Sequence, residues 1–368
     1  VIGGVVNNGY KSKNFDCDNT EEPLDQFKYY NLIGGGVEYN VSGAKISTFA
    51  TQATDTRVHH IDLPDGAVVI DARLYVHWYD KWGNHQTYPT GCLANLSMNF
   101  SGTYLMPDAA YQDSKAFGYY QSPKGSSVFD VTSLVSGSGD YTAIVKNIEP
   151  IGGNNTTLLG EMLVVVYDGA DHGDEVQIWM LEGTDYLMAA DDTHNSYDYS
   201  ASPEEATATV AFDGSINLAN ITDAMLITVV AQGMGSGSDM LFNGEVIKTD
   251  AWDASTEAYS NSKINVEEVS IRSSDLLGSG NSMGFRDTGT GGMQACNAFL
   301  ILEEGDPWAD SDSDGVPDCW DLEDDTPSGY LTDSDGVGYR IGDVNRDGDL
   351  TSVDALMILQ AIVGNIEL

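Results

Sequence analysis

The sequence predicts an all-β fold of tandem antiparallel β-sandwiches, jelly-roll or immunoglobulin-like, followed by a small C-terminal module of calcium loops and a helix. Three observations support this prediction. Period-two hydrophobic patterns, broken by turn clusters, run through the first 300 residues. The 40 glycines and 19 tyrosines are typical of turn-rich β-structure. Beyond residue 304 the composition changes to closely spaced aspartates and then to one amphipathic segment.

Side-chain alternation identifies individual strands. Residues Ala72–Tyr79 alternate between apolar and polar or aromatic side chains, which predicts a half-buried strand. One side carries Ala72, Leu74, Val76 and Trp78, and the other carries Arg73, Tyr75, His77 and Tyr79. A sugar-stacking platform formed by Tyr75, His77, Tyr79 and Trp82 is an alternative interpretation of this side. Cross-strand packing explains these aromatic residues more simply. The near-continuous apolar runs Met162–Tyr167 and Asn297–Leu302 predict central strands of a sandwich.

The net charge excludes several classes of partner. The 368 residues carry 16 basic and 57 acidic side chains, so the formal net charge is −41. A chain this acidic repels phosphate, and we therefore expect no binding to nucleic acid or to anionic membranes. No apolar run approaches the ~20 residues needed to cross a bilayer, so no membrane span is expected.

Several features favour a secreted, cell-surface glycoprotein. The chain starts at Val1 without a leader, which fits either a trimmed sequence or a mature exported protein. Acceptor sequences for N-linked glycans occur at Asn40, Asn95, Asn99, Asn154, Asn155 and Asn220. The four widely spaced cysteines predict two disulfides, for which we favour the pairs Cys17–Cys92 and Cys296–Cys319. Buried free thiols are the alternative.

Five short segments resemble one protein family. They are Ala72–Val76, Leu163–Tyr167, Glu182–Asp185, Leu241–Gly244 and Asn297–Leu300, in this order. This set is similar to the DUF3344 family of archaeal and bacterial surface proteins, and the similarity spans roughly residues 30–304. The resemblance implies tandem β-sandwiches of an exported protein with a role in surface structure or adhesion. It supplies no catalytic residues.

The segment after residue 304 contains a predicted twelve-residue calcium loop. Carboxylates occupy loop positions 1, 3, 5, 9 and 12, which are Asp310, Asp312, Asp314, Asp318 and Asp321. Gly315 at position 6 allows the chain to turn back, and Val316 at position 7 offers its backbone carbonyl. This spacing resembles thrombospondin type 3 calcium repeats. A solvated acidic linker is the alternative.

A second calcium loop is predicted shortly before the C-terminus. Its side-chain ligands are Asp343, Asn345, Asp347, Thr351 and Asp354, and Asp349 contributes its carbonyl at position 7. Apolar residues at helical spacing follow, namely Val353, Leu356, Met357, Leu359, Ile362 and Val363. A loop followed by a helix resembles the repeat unit of a type I dockerin, although only one complete repeat is present. We expect two Ca²⁺ sites that stabilise the tail structurally.

The N-terminal segment Val1–Val6 is apolar and β-branched, and the turn signal Asn7–Gly9 follows it. Such a segment either covers its own sheet or adds as a strand to a neighbouring copy, which produces a head-to-tail polymer. The predicted parts are thus an N-terminal strand segment (1–30), two sandwiches (31–170 and 171–304), an acidic calcium-binding linker (305–335) and a dockerin-like loop and helix (336–368). One large sandwich across residues 31–304 is the alternative.

No nucleophile, metalloprotease or phosphate-loop motif occurs, so we expect a non-catalytic protein. His59 and His60 lie beside Asp62, but a strand directs adjacent side chains to opposite faces and separates the two histidines. The leading hypothesis is an extracellular subunit of a self-assembling, calcium-stabilised surface filament or sheath. The alternative is a secreted modular binder that docks to a cohesin or to carbohydrate through its dockerin-like tail.

Overall fold

The computed structural model describes residues 5–8, 24–42, 47–49, 53–81, 94–113, 124–149, 155–169, 175–189, 201–233, 237–252, 264–289, 292–305, 312, 314–316, 323, 326–327, 329–333, 337–346 and 348–364. These residues belong to two compact units, the first ending at Glu304 and the second including everything from Gly305 onward.

Within the described residues, the first unit consists of β-strands and two single-turn 3-10 helices, Thr132–Leu134 and Ser273–Asp275. It begins with β1 (Val5–Asn8), β2 (Asp25–Ile33), β3 (Gly36–Ser42), β4 (Ser47–Phe49), β5 (Thr54–Ile61), β6 (Val68–Lys81) and β7 (Asn95–Phe100). It continues with β8 (Thr103–Leu105), β9 (Ala109–Asp113), β10 (Lys124–Asp130), β11 (Gly139–Glu149), β12 (Asn155–Asp168), β13 (Glu175–Leu187) and β14 (Thr207–Ser215). It ends with β15 (Ile221–Ala231), β16 (Ser238–Phe242), β17 (Glu245–Thr249), β18 (Ile264–Ser270), β19 (Ser279–Asp287) and β20 (Met293–Glu304).

These strands form four antiparallel sheets. Outer sheet 1 has the order β5-β11-β7-β8, and inner sheet 1 has the order β3-β12-β6-β10-β9, with β4 also paired to β12. Inner sheet 2 has the order β18-β15-β20-β13-β2, and outer sheet 2 has the order β1-β14-β19-β16-β17. Each outer sheet packs on its inner sheet as a sandwich, which confirms the predicted all-β sandwich class.

Three hydrophobic cores separate the four layers. Trp78, Leu96 and Phe100 belong to the core between outer and inner sheet 1. Trp179 and Phe285 belong to the core between inner and outer sheet 2. The third core lies between the two inner sheets and includes side chains from β12, β13 and β20. The inner strands are therefore buried on both faces, which explains the continuous apolar runs in β12 and β20.

The two N-terminal strands belong to the second sandwich, although they precede the first sandwich in sequence. Strands β3 to β12 build both sheets of the first sandwich, and β13 to β20 build most of the second. β2 joins inner sheet 2 beside β13, and β1 joins outer sheet 2 beside β14. The second sandwich is thus built from segments that precede the first sandwich in sequence and from segments that follow it.

Strand β6 corrects one expectation. Its alternation predicted a half-buried strand, but residues Ala72–Trp78 are all buried. The apolar side faces outer sheet 1, and the polar-aromatic side faces inner sheet 2 instead of solvent. Tyr75 and His77 are 1% and 0% exposed, so they form no sugar-stacking platform. Trp82 lies outside the described residues.

The second unit contains the short hairpin β21 (Leu331–Thr332) and β22 (Gly338–Tyr339), followed by helix α1 (Ser352–Ile362). The helix begins at a capping box, in which the Thr351 hydroxyl accepts the Val353 amide and the Asp354 carboxylate accepts the Thr351 amide. Of the helices in the described residues, none is long and apolar enough to cross a membrane.

Candidate functional site

The most conspicuous polar feature of the first unit is a carboxylate buried between the two inner sheets. Glu182 on β13 is 3% exposed and receives both Nε and Nη2 of Arg73, each at 3.0 Å. The hydroxyls of Tyr75 and Tyr111 donate to the same carboxylate at 2.8 and 2.6 Å. Burial, and then the Glu182 charge, raise the pKa of Tyr75 well above its usual value, so its hydroxyl stays a donor.

A second cluster ties β2 to the first sandwich. Asp71 on β6 accepts Lys28 Nζ at 2.7 Å, the Tyr30 hydroxyl at 2.5 Å and the Thr132 hydroxyl at 3.2 Å. Lys28 and Tyr30 belong to β2, whereas Asp71 and Thr132 belong to the first sandwich. Both clusters join the two sandwiches to each other. No local sequence pattern indicates these clusters, because each pairs residues far apart in the chain.

The buried histidines occupy structural positions. His59 is fully buried, with Nε2 at 3.3 Å from Glu161, whereas the neighbouring His60 side chain is 68% exposed. This arrangement confirms that the strand separates the pair. His77 contacts the Ser126 hydroxyl at 2.7 Å, and burial lowers the pKa of His77 to about 3, which leaves the ring neutral. Neither His59 nor His77 is accessible to a substrate.

The N-terminal strand lies at the edge of outer sheet 2. Val5, Asn7 and Asn8 pair antiparallel with Val210, Thr209 and Ala208 of β14. Beneath this edge, Ala208, Val210 and Phe212 contribute to the core of the second sandwich. Residues 9–24 connect β1 to β2 on the neighbouring sheet. The structure therefore shows the segment on its own sheet, one of the two arrangements expected from the sequence; residues 1–4 lie outside the described residues.

In the second predicted calcium loop, the first and last ligand positions approach each other. Asp343 and Asp354 are each 2% exposed. Asp354 Oδ1 accepts the amides of Val344 and Asn345 at 3.1 and 3.4 Å, and Asp343 Oδ2 accepts the amide of Gly348 at 2.8 Å. Gly348, at position 6, has a φ of +86°, as the turn requires. The loop is thus closed by its own amides, with Asn345 and Asp349 exposed on its outside.

The first predicted loop makes the same kind of turn. Gly315, also at position 6, has a φ of +98°. Asp312 accepts the amides of Asp314 and Thr326 at 3.2 and 2.5 Å, and Asp314 accepts the amide of Val316 at 2.8 Å. Asp310, Asp318 and Asp321 of this loop, like Asp347 of the other loop, lie outside the described residues.

The donor chemistry of the second loop fits a hard cation. Asp343 and Asp354 supply carboxylate oxygens that are almost fully shielded from water, and Ca²⁺ prefers such oxygens. Backbone amides, first that of Thr351, hold the pKa of Asp354 below its usual value, so the ionised form that a metal needs is favoured. Within the described residues, no three His, Cys, Asp or Glu side chains are grouped for metal binding. Thr351 and Asp354 also cap α1, a second role that the spacing alone did not reveal.

Helix α1 presents most of its apolar side chains to solvent. Val353, Leu356, Leu359 and Ile362 are between 51% and 75% exposed. All four belong to the set of apolar residues that was identified from its helical spacing in the sequence. Since large apolar side chains exposed together mark interaction surfaces, α1 is a candidate docking element.

The predicted glycan acceptors differ in accessibility. Asn95 and Asn220 are exposed, while Asn40 and Asn99 are half-buried. The Asn99 side chain also accepts the amide of Gly102 at 3.0 Å. Asn155 lies in β12, and Asn154 lies outside the described residues. Glycosylation stays a prediction, most readily accommodated at Asn95 and Asn220.

Cys296 is a free thiol buried between the two inner sheets. Its Sγ contacts the Gln294 carbonyl at 3.3 Å, and burial raises the pKa of the thiol to about 12. This position favours the alternative of a buried thiol for Cys296. Cys17, Cys92 and Cys319 lie outside the described residues, so the Cys17–Cys92 pairing stays a prediction. A free Cys296 does not form the predicted bond to Cys319.

Comparisons with known proteins give one family and several distant structures. The DUF3344 family profile, described as a protein of unknown function, matches residues 9–303. No curated protein matches the sequence. Wild-type BuGH86 in complex with neoagarooctaose is 12% identical with a TM-score of 0.25; the match covers 70% of this chain but only 33% of that one.

Two further known structures are matched over nearly their full length. A peptide-N(4)-(N-acetyl-β-D-glucosaminyl)asparagine amidase is 10% identical with a TM-score of 0.25, over 76% of this chain and 97% of that chain. The major capsid protein P2 of bacteriophage PM2 is 8% identical with a TM-score of 0.21, over 73% of this chain and 98% of that chain. Likeness this low carries no information about activity.

Proposed function

The chain belongs to the DUF3344 family, and we propose that this member is a non-catalytic, extracellular subunit of a calcium-stabilised filament or sheath. In this proposal, the N-terminal strand of one copy completes outer sheet 2 of the next copy. The observation that carries it is the position of β1, a four-residue strand on the sheet edge beside β14.

Exchange of β1 between copies should change the free energy little. A strand that pairs with the same β14 edge in another copy forms the same backbone hydrogen bonds, so exchange of an identical element needs little new interface. The 16 residues from 9 to 24 span at most about 55 Å when fully extended, which allows β1 to reach a neighbouring subunit. Each copy then donates one strand and accepts one, and such a head-to-tail interface produces an open filament.

The buried polar groups of the first unit support a structural role. Arg73 and Glu182 pair between the inner sheets, and Lys28 and Asp71 join β2 to β6. These charged groups hold layers together rather than facing an open cleft. Calcium bound by the predicted loops Asp310–Asp321 and Asp343–Asp354 would neutralise charge in a tail that is rich in carboxylates.

Deleting residues 1–8 tests the strand exchange. We expect the purified full-length chain to form polymers in millimolar calcium, as measured by light scattering and negative-stain microscopy. The deletion variant should remain monomeric, because it has no strand to donate. Adding a synthetic peptide of residues 1–8 should raise the melting temperature of the variant by filling the vacant edge, yet should produce no polymers. Polymers of the variant as long as those of the full chain would refute the exchange.

The exposed apolar side of α1 favours a second candidate, docking of the tail to a cohesin or to carbohydrate. Leu356 and Leu359 are central to this exposed side. In that case the purified chain should stay monomeric alone and be captured by a cohesin in calcium. Leu356→Asp together with Leu359→Asp should abolish capture while leaving any polymerisation through β1 unchanged.

A further inference from the structure

A lysine and an aspartate face each other at the buried edge of inner sheet 1. Lys124 on β10 is the direct cross-strand partner of Asp113 on β9. Directly opposed residues of an antiparallel pair have Cβ atoms about 5 Å apart, which is within the reach of a lysine side chain. Lys124 is 7% exposed and Asp113 is 1% exposed. An amine and a carboxyl group are thus confined together away from bulk water.

The amine of Lys124 is held by aromatic rings. Its Nζ lies 4.1 Å from the centre of the Tyr186 ring and 5.5 Å from that of Tyr79. The charge of Asp113 acts on the same amine and favours its protonated form. Desolvation by burial lowers the pKa of Lys124 to about 8. A substantial fraction of the amine is therefore unprotonated, and so nucleophilic, in mildly alkaline solution.

The carboxyl group of Asp113 is oriented from the opposite sheet. Its Oδ2 accepts the backbone amide of Tyr186 at 2.7 Å. The same residue therefore places its ring against the amine and its amide against the carboxyl oxygen. An amide donor on that oxygen stabilises negative charge that develops there when a nucleophile attacks Cγ.

We propose that Lys124 and Asp113 condense into an intramolecular isopeptide bond between β10 and β9. Rotation of the Lys124 side chain first brings Nζ onto the Asp113 carboxylate, and a proton passes from the ammonium to the carboxylate, which gives a neutral amine and a carboxylic acid. The Nζ lone pair then attacks Cγ of Asp113, the Nζ–Cγ bond forms, and the Cγ–OH bond breaks. The hydroxyl leaves as water with one proton from Nζ, so atoms and electrons balance without any co-reactant.

The bond relieves an unfavourable burial. Two opposite charges in a dry interface carry a desolvation penalty that their attraction only partly offsets. A neutral amide removes both charges and leaves one donor and one acceptor. It also fixes the edge strand β9 covalently to β10, across residues 114–123, independently of how copies assemble.

Intact mass spectrometry of the full chain, denatured and with disulfides reduced, tests the proposal. We expect the protein to be lighter than its sequence mass by one water. Trypsin should then release residues 82–115 joined to residues 116–146, because a modified Lys124 is not cleaved. Protein at its full sequence mass, with separate peptides 116–124 and 125–146 after prolonged incubation at pH 8, would overturn the proposal.

Three variants separate this bond from other losses of water. Lys124→Arg keeps the charge but cannot form the bond, and it should have its full sequence mass, as should Asp113→Ala. Asp113→Asn should lose ammonia instead of water and reach the same final mass as the wild-type product. Loss of water that persists in Lys124→Arg would indicate a cyclised aspartate elsewhere and would contradict the assignment.

Discussion

Replacing Glu182 with alanine should lower the free energy of unfolding by about 3–5 kcal/mol, the loss typical of breaking a buried ion pair. Glu182 accepts two hydrogen bonds from Arg73 and one each from Tyr75 and Tyr111. Without the carboxylate, the guanidinium between the two sheets loses its two hydrogen bonds to Glu182 and keeps a longer contact with Asp108 at 3.7 Å. Two buried hydroxyls also lose their acceptor. Urea denaturation followed by tryptophan fluorescence measures the change.

Two variants serve as controls for Glu182→Ala. Glu175→Ala, on the same strand, removes a carboxylate whose hydrogen bond to Asn31 lies at the surface, and we expect a loss below about 0.5 kcal/mol. The double variant Arg73→Met with Glu182→Gln removes both charges and keeps an acceptor for the tyrosines, so it should be more stable than Glu182→Ala alone. A Glu182→Ala loss no larger than that of Glu175→Ala would show that the cluster does not hold the two sandwiches together.

Alanine substitutions at two nearby aspartates should have different effects on calcium binding by the loop near the C-terminus. Asp347 at position 5 is predicted to bind through its carboxylate, whereas Asp349 at position 7 is predicted to bind through its backbone carbonyl. We therefore expect Asp347→Ala to abolish one of two calcium sites and Asp349→Ala to keep both. Isothermal titration calorimetry gives the stoichiometry directly.

Calcium should also stabilise the tail against unfolding. Binding at 100 times the dissociation constant contributes about 2.7 kcal/mol to the folded state. In Asp347→Ala this gain should be lost for the second loop, and hydrogen exchange of the amides in 343–354 should become insensitive to calcium. Equal calcium affinity in the wild-type chain, Asp347→Ala and Asp349→Ala would contradict the assigned ligand positions.

The predictable parts of this fold are those encoded by local pattern. Met162–Tyr167 and Asn297–Leu302 are continuous apolar runs because β12 and β20 are buried on both faces. The apolar spacing after Thr351 correctly predicted a helix, and its capping box marks where α1 begins. In each case the sequence pattern and the structure that it predicts lie within the same few residues.

The unpredicted parts depend on partners distant in sequence. Arg73 and Tyr75 looked like a solvent-facing side because nothing near them in the chain reveals that Glu182 neutralises that side. Likewise, the pairing of β1 with β14 joins chain about 200 residues apart. Side-chain alternation along a strand shows how polar each of its two faces is. It does not show which other sheet packs on each face.

A disulfide trap measures the strand exchange most directly. Asn7 and Thr209 are cross-strand partners, so Asn7→Cys with Thr209→Cys can form a bond wherever β1 meets β14. In polymers grown in calcium and then oxidised, the account predicts a ladder of covalent multimers on a non-reducing gel, absent from either single variant. Bonds found only within single chains, in a sample that microscopy shows to be polymeric, would contradict it.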